Sequence, residues 1–217
     1  SNRLKRGVVH ELNGTPASSE NVPFIVEEVA HGLEVPWSVV FTSSTRLLVS
    51  ERPGRIRIIE DGTLQEKPLH TFPEVSSEAE EGLMSLALHP NYTQNKCVYA
   101  VYAYRTERGF WDRVVRFRDD GSSISQMITI LDGIPAAQYH AGSRLAFGPD
   151  EKLYITTGDA TEKEIAQDLK SLGGKILRLN DDGTIPSDNP FSNSAIWSYG
   201  HRNPQGIAWR GAYMYET

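Results

Sequence analysis

Apolar and polar residues alternate with a period of two in short runs along most of this chain. Three of these runs close in the same way: GRIRIIEDG at 54–62, RVVRFRDDG at 113–121 and KILRLNDDG at 175–183. Each mixes Ile, Val, Leu or Phe with Arg and ends on an acidic residue followed by Gly. The alternation predicts a half-buried β-strand. The ending predicts a hairpin turn, because Gly takes positive φ without a Cβ clash. The copies recur roughly every sixty residues, and self-similarity at a fixed period marks a repeat architecture.

Two further sets of strands accompany these endings. RLLVSE (46–51), CVYAVYA (97–103), KLYITTGD (152–159) and AYMYET (212–217) are rich in Val, Tyr and Thr and precede the turns. PWSVVF (36–41), GLMSLALHP (82–90), SRLAFGPD (143–150) and PQGIAWR (204–210) open each unit. QMITIL (126–131) reads as a weaker strand after a turn. The one helix expected is EKEIAQDLKSL (162–172), with Ile165, Leu169 and Leu172 near helical spacing. A single unit of three or four strands cannot bury both of its faces, so several must stack. The expected fold is all-β, a β-propeller. A β-sandwich would leave the three related endings unexplained. Residues 1–22 read as an N-terminal arm and 23–217 as a partial propeller domain of about three and a half blades. A ring typically closes with 4–8 blades, so further blades are expected outside this sequence.

Charge and composition narrow the function classes. Lys plus Arg number 22 and Asp plus Glu 28, a formal charge of −6. That disfavours nucleic acid, which requires a basic face. With 39% hydrophobic and 23% charged residues the chain is ordinary globular material. No apolar run approaches the ~18 residues of a membrane-spanning helix, so membrane insertion is not expected. The opening SNRLKRGVVHELNG lacks the apolar core of a signal peptide, as a processed secreted protein also would. A single cysteine, Cys97, excludes an internal disulfide framework and reads as buried and inert.

In a propeller the loops before the opening strands converge on a central channel, so polar residues at that phase are the candidates for a site. They are Glu80 and Glu81, then Tyr139 and His140, then Arg202 and Asn203. His140 can take a proton near neutral pH; it can equally cap a strand end. Asp159 follows the next strand, and an antiparallel hairpin from Ser143 returns it towards His140, where a carboxylate orients an imidazole. It also reads as an Asp starting a turn. Arg202 and Asn203 suit a planar, anionic, oxygen-rich ligand or, alternatively, an inter-blade ion pair. Glu80 and Glu81 form an acidic pair or a solvated loop. His10, His31 and His70 read as loop residues, His89-Pro90 as a turn, and Trp37, Trp197 and Trp209 as packing. Asn13 and Asn91 match the glycosylation sequon, a short and weak signal.

The runs GSRLAFGPDEKLYITTGDA, SLGGKILRLNDDGTIPSDNPF and IWSYGHRNPQGIAW resemble the glucose/sorbosone dehydrogenase family, the soluble aldose dehydrogenases that use pyrroloquinoline quinone (PQQ). GLEVPWSVVF and EEGLMSLALHPNY are similar to its first two blades, so the resemblance covers roughly residues 25–217. It implies a six-bladed propeller, oxidation of an anomeric hydroxyl to a lactone, PQQ and Ca²⁺ as cofactors, and a respiratory or artificial electron acceptor. It also implies a periplasmic or secreted location. By the same resemblance His140 is the general base, Asp159 supports it, Arg202 and Asn203 contact PQQ, and Glu80 and Tyr139 meet the sugar. Tyr139 stands where glucose-oxidising members carry an acidic residue. No metal ligand is assigned within this chain, since the family's calcium oxygens are expected beyond Thr217. Two other readings fit the blade motifs: a non-catalytic, protein-binding propeller of the same superfamily, and a calcium-dependent lactonase-type propeller hydrolase. The joint presence of the four candidates in the loops of blades three and four argues against the first.

Overall fold

The structure, a computed structural model, describes residues 25–217. The expected N-terminal arm, with His10 and Asn13, lies outside the described residues. Three antiparallel sheets follow one another, with their strands in chain order except that the fifth strand of the first sheet pairs with its third. The first holds β1 (Pro36–Phe41), β2 (Arg46–Glu51), β3 (Arg55–Glu60), β4 (Thr63–Leu64) and β5 (His70–Thr71). The second holds β6 (Leu83–Leu88), β7 (Cys97–Thr106), β8 (Gly109–Asp119) and β9 (Ile124–Ala136), with the short helix α1 (Tyr92–Asn95) between β6 and β7. The third holds β10 (Gly142–Phe147), β11 (Leu153–Thr157), β12 (Lys175–Leu179) and β13 (Ile196–Tyr199). The hairpin β14 (Ile207–Arg210) and β15 (Tyr213–Glu216) opens a fourth. Opening strands pack against one another in sequence, β1 on β6, β6 on β10 and β10 on β14. This is the radial order of propeller blades. The acidic-Gly turns are formed as expected, with Gly62, Gly121 and Gly183 all at positive φ.

The core lies between blades. Val98, Ala100 and Tyr102 of β7 pack with Leu48, Ile56 and Ile58 of the first blade. Tyr99 and Val101 of the same strand pack with Leu145, Leu153 and Ile155 of the third. One strand therefore faces two neighbours, which is why CVYAVYA is apolar at every position. Full burial of each such side chain is worth ~1.5–3 kcal/mol. On the outer faces of the set the same period leaves Val39, Phe41, Tyr213 and Tyr215 exposed.

A polar device repeats between blades. The Ser50 hydroxyl accepts from Ser38 N–H at 3.0 Å within its blade and donates to the Met84 carbonyl of the next at 2.5 Å. The Thr156 hydroxyl likewise accepts from Arg144 N–H at 2.8 Å and donates to the Pro204 carbonyl at 2.7 Å. The opening strands of the first three blades also have a register shift near their start, at Pro36/Ser38, Leu83/Leu86 and Gly142/Leu145. The shift turns Ser38 and Ser85 towards the following blade, where they accept from Leu86 N–H and Leu145 N–H.

Several expectations are corrected. The helix over 162–172 is a single 3-10 turn, Lys163–Ala166. Its carbonyls serve another purpose: the Lys175 ammonium takes those of Ile165, Ala166 and Gly173 at 2.8, 3.1 and 2.6 Å. Burial lowers the Lys175 pKa, and no carboxylate pairs with it among the described residues. The strand expected at 126–131 runs from Ile124 to Ala136 and pairs along β8 with three register shifts. Cys97 is half-buried at the head of β7. His70 belongs to β5, paired with Ile56 and edge-on to Phe72 at 4.6 Å. His31 lies beside Glu28, and His89 touches Asp181 of the third blade at 3.2 Å.

Candidate active site

The loop from β9 to β10 carries Tyr139 and His140, and the backbone there is tightly determined. His140 sits at φ +59°, a left-handed conformation rare for a side chain of this size. Gly158 lies against it, and a Cβ at that position would collide with the His140 carbonyl oxygen. The Ala160 N–H donates to that same carbonyl at 3.3 Å. Strain of this kind persists only where surrounding contacts over-determine it.

Asp159 stands two residues past the end of β11 and is 4% exposed. Its Oδ1 lies 2.8 Å from His140 Nδ1 and also accepts from Thr161 N–H at 2.9 Å. A carboxylate only accepts, so the contact places the proton of a neutral imidazole on Nδ1. Nε2 is left as the basic nitrogen. The His140 side chain is 18% accessible, enough to be reached from solvent.

Two backbone ties join this pair to the fourth blade. The Asp159 N–H donates to the Arg202 carbonyl at 2.7 Å, and Gly142 N–H donates to Asn203 Oδ1 at 3.0 Å. The Arg202 side chain is exposed. From the second blade, exposed Glu80 accepts the His140 N–H through Oε2 at 3.3 Å, and Glu80 N–H donates to the Gln138 carbonyl at 2.9 Å. Tyr139 is half exposed. The seven residues singled out from sequence thus occupy loops at one end of three successive blades.

The acidic pair divides. Glu81 is fully buried and accepts from the Ser76 hydroxyl and from Glu78 and Ala79 N–H at 3.1, 2.8 and 2.9 Å. It holds its own loop together, so only Glu80 is open to a ligand. Sequence reasoning missed Asp112. This residue of β8 is fully buried, lies 2.9 Å from the Ser143 hydroxyl, and has no protein partner at Oδ1. Its signal was an acid at the inward phase of a strand, in the run Trp111-Asp112-Arg113-Val114.

Residues 33–216 match the sequence model of the glucose/sorbosone dehydrogenase family. The chain belongs to that family. It is 34% identical to the aldose sugar dehydrogenase YliI of Escherichia coli over 194 residues, 84% of this chain and 52% of that protein. A crystal structure from Thermus thermophilus, described as a putative oxidoreductase (glucose dehydrogenase), is 46% identical with a TM-score of 0.79. It covers 86% of this chain and 58% of that one. The PQQ-bound aldose sugar dehydrogenase of Streptomyces coelicolor is 37% identical with a TM-score of 0.80, over 88% of this chain and 58% of that one. The chain spans about half the length of the curated relatives it matches.

Proposed function

We propose that this chain carries the base and part of the quinone pocket of a PQQ-dependent dehydrogenase, which oxidises the anomeric hydroxyl of an aldose to a lactone. The observation that carries the reading is the His140–Asp159 pair at 2.8 Å, with Nε2 left basic and the Asp159 N–H bonded to the Arg202 carbonyl. His140 Nε2 takes the proton of the anomeric hydroxyl, and Asp159 stabilises the imidazolium that forms. PQQ, when bound, supplies the acceptor for the hydride leaving the same carbon.

The residues fit such a group in their chemistry. Arg202 offers a planar guanidinium to the carboxylates of a quinone acid. Asn203 has its Oδ1 engaged by Gly142, which leaves its amide donor for the same ligand. Fixing both loops by backbone bonds means that little reorganisation accompanies binding. Glu80 and Tyr139 flank the base and would meet sugar hydroxyls, a reading supported by the exposure of both side chains. The electron acceptor is a respiratory carrier or an artificial dye. For the calcium that the resemblance implies, the described residues contain no cluster of three or more His, Cys, Asp or Glu.

The test uses the full-length protein with PQQ and Ca²⁺. PQQ-dependent reduction of a redox dye by at least one aldose of a panel is expected, and its absence across the panel overturns the reading. His140→Ala should lower kcat by about 10²–10⁴-fold with PQQ affinity nearly unchanged. Near-normal turnover in that variant removes His140 as the base.

A further inference from the structure

Asp112 lies behind the His140 loop, reaching from β8 of the second blade to Ser143 at the start of β10. The Ser143 hydroxyl is 2.9 Å from Asp112 Oδ2 and 2.7 Å from the carbonyl of Ala141, the residue next to His140. A hydroxyl has one proton, and a carbonyl only accepts. If Asp112 were ionised, one of these two contacts would set acceptor against acceptor. If Asp112 holds a proton on Oδ2, both are satisfied: the acid donates to Ser143, and Ser143 donates to Ala141.

The surroundings favour the protonated form. Asp112 is fully buried, no protein donor reaches Oδ1, and no cation pairs with it among the described residues. Ala103 of β7 and Ile134 of β9 flank it in the sheet. The charged group that faces it is the buried carboxylate of Glu81, from the loop before β6. Glu81 already receives three donors, so of the two acids Asp112 is the one to remain neutral.

We propose that Asp112 is a positioning residue, held as a neutral acid, which through Ser143 fixes the backbone that presents His140. Burial, reinforced by the charge of Glu81 and opposed by the Ser143 bond, pushes its pKa up to about 8. Above that pH the Ser143 proton turns to the carboxylate and the Ala141 carbonyl loses its donor. The link from Asp112 to turnover rests on the dehydrogenase reading; the protonation state does not.

Three measurements on the full-length protein test this. At pH 7 the infrared spectrum should show a protonated-carboxyl band that is absent from Asp112→Asn, whose amide mimics the neutral acid. Lack of that band overturns the proposal. Next, the unfolded chain releases this proton near pH 4 and the folded protein near 8. The Tm of the native protein should therefore fall relative to Asp112→Asn as pH rises from about 4 to about 8, then run parallel. A pH-independent difference also overturns it. Finally, kcat should decline through about pH 8 in the native protein and not in Asp112→Asn, while Asp112→Ala lowers kcat roughly tenfold below pH 8, a gap that narrows above it. Should no aldose be oxidised, the dehydrogenase reading fails alone and the first two measurements still decide the state of Asp112. Should activity be present with the alkaline decline retained in Asp112→Asn, the positioning role fails.

Discussion

The tautomer of His140 is set by a single contact. Asp159 Oδ1 accepts from Nδ1 at 2.8 Å, so Nε2 is the nitrogen without a proton in the neutral ring. Replacing Asp159 with Asn tests this with little change in shape. The Asn amide can donate to Nδ1, which moves the imidazole proton to Nε2 and removes the base. Asp159→Asn should lower kcat by about 10²-fold or more while PQQ titrations stay near native. Native turnover in this variant would show that Asp159 merely closes its turn, through its bond to Thr161 N–H at 2.9 Å. Much of this site was legible in the sequence, because loops at one phase of a repeat must converge. Asp112 was not legible, since a one-dimensional pattern does not show that Ser143, on another blade, has only one proton to share.

Strands were readable from period-two alternation, and the turns from acidic-Gly endings with Gly62, Gly121 and Gly183 at positive φ. The helix over 162–172 failed for a reason outside the segment. Lys175, itself on β12, takes the carbonyls that a helix there would use. Hydroxyl pins between blades were equally hidden, because Ser and Thr are common in strands for other reasons. Thr156 is fully buried, accepting from Arg144 N–H and donating to the Pro204 carbonyl. Thr156→Val keeps the shape and leaves both groups unpaired. It should cost about 1–3 kcal/mol in denaturant unfolding, through a lower midpoint at unchanged slope. A loss below about 0.5 kcal/mol would mean that β10 and β14 are held by packing alone.

Ionic contacts join whole blades as well, and here pH separates their contributions. Arg46 of β2 reaches Asp119 at the end of β8, with contacts of 2.6 and 3.1 Å, and its guanidinium also meets the Gly121 carbonyl at 2.7 Å. The Tyr92 hydroxyl donates to the same carboxylate at 2.6 Å. Burial alone would raise the Asp119 pKa; the bonds from Arg46, Tyr92 and Gly121 outweigh it and hold the group below the usual carboxylate range. A carboxylate with a depressed folded pKa gives its full stabilisation above its unfolded value, near pH 4. That stabilisation is lost as pH falls through the folded pKa. Removing Arg46 while keeping its apolar stem, as in Arg46→Met, strands Asp119 as a buried charge with the Tyr92 and Gly121 donors alone. The variant should lose about 3 kcal/mol above pH 4, since breaking one side of a buried pair costs this much. Below pH 4 the two proteins should converge, because protonated Asp119 no longer rewards the pairing. Urea midpoints between pH 3 and 7 measure the difference. A gap that stays constant across that range would show that Arg46 acts through the bonds of its guanidinium to the Thr42 hydroxyl and the Gly121 carbonyl, which do not titrate, and not through the charge of Asp119.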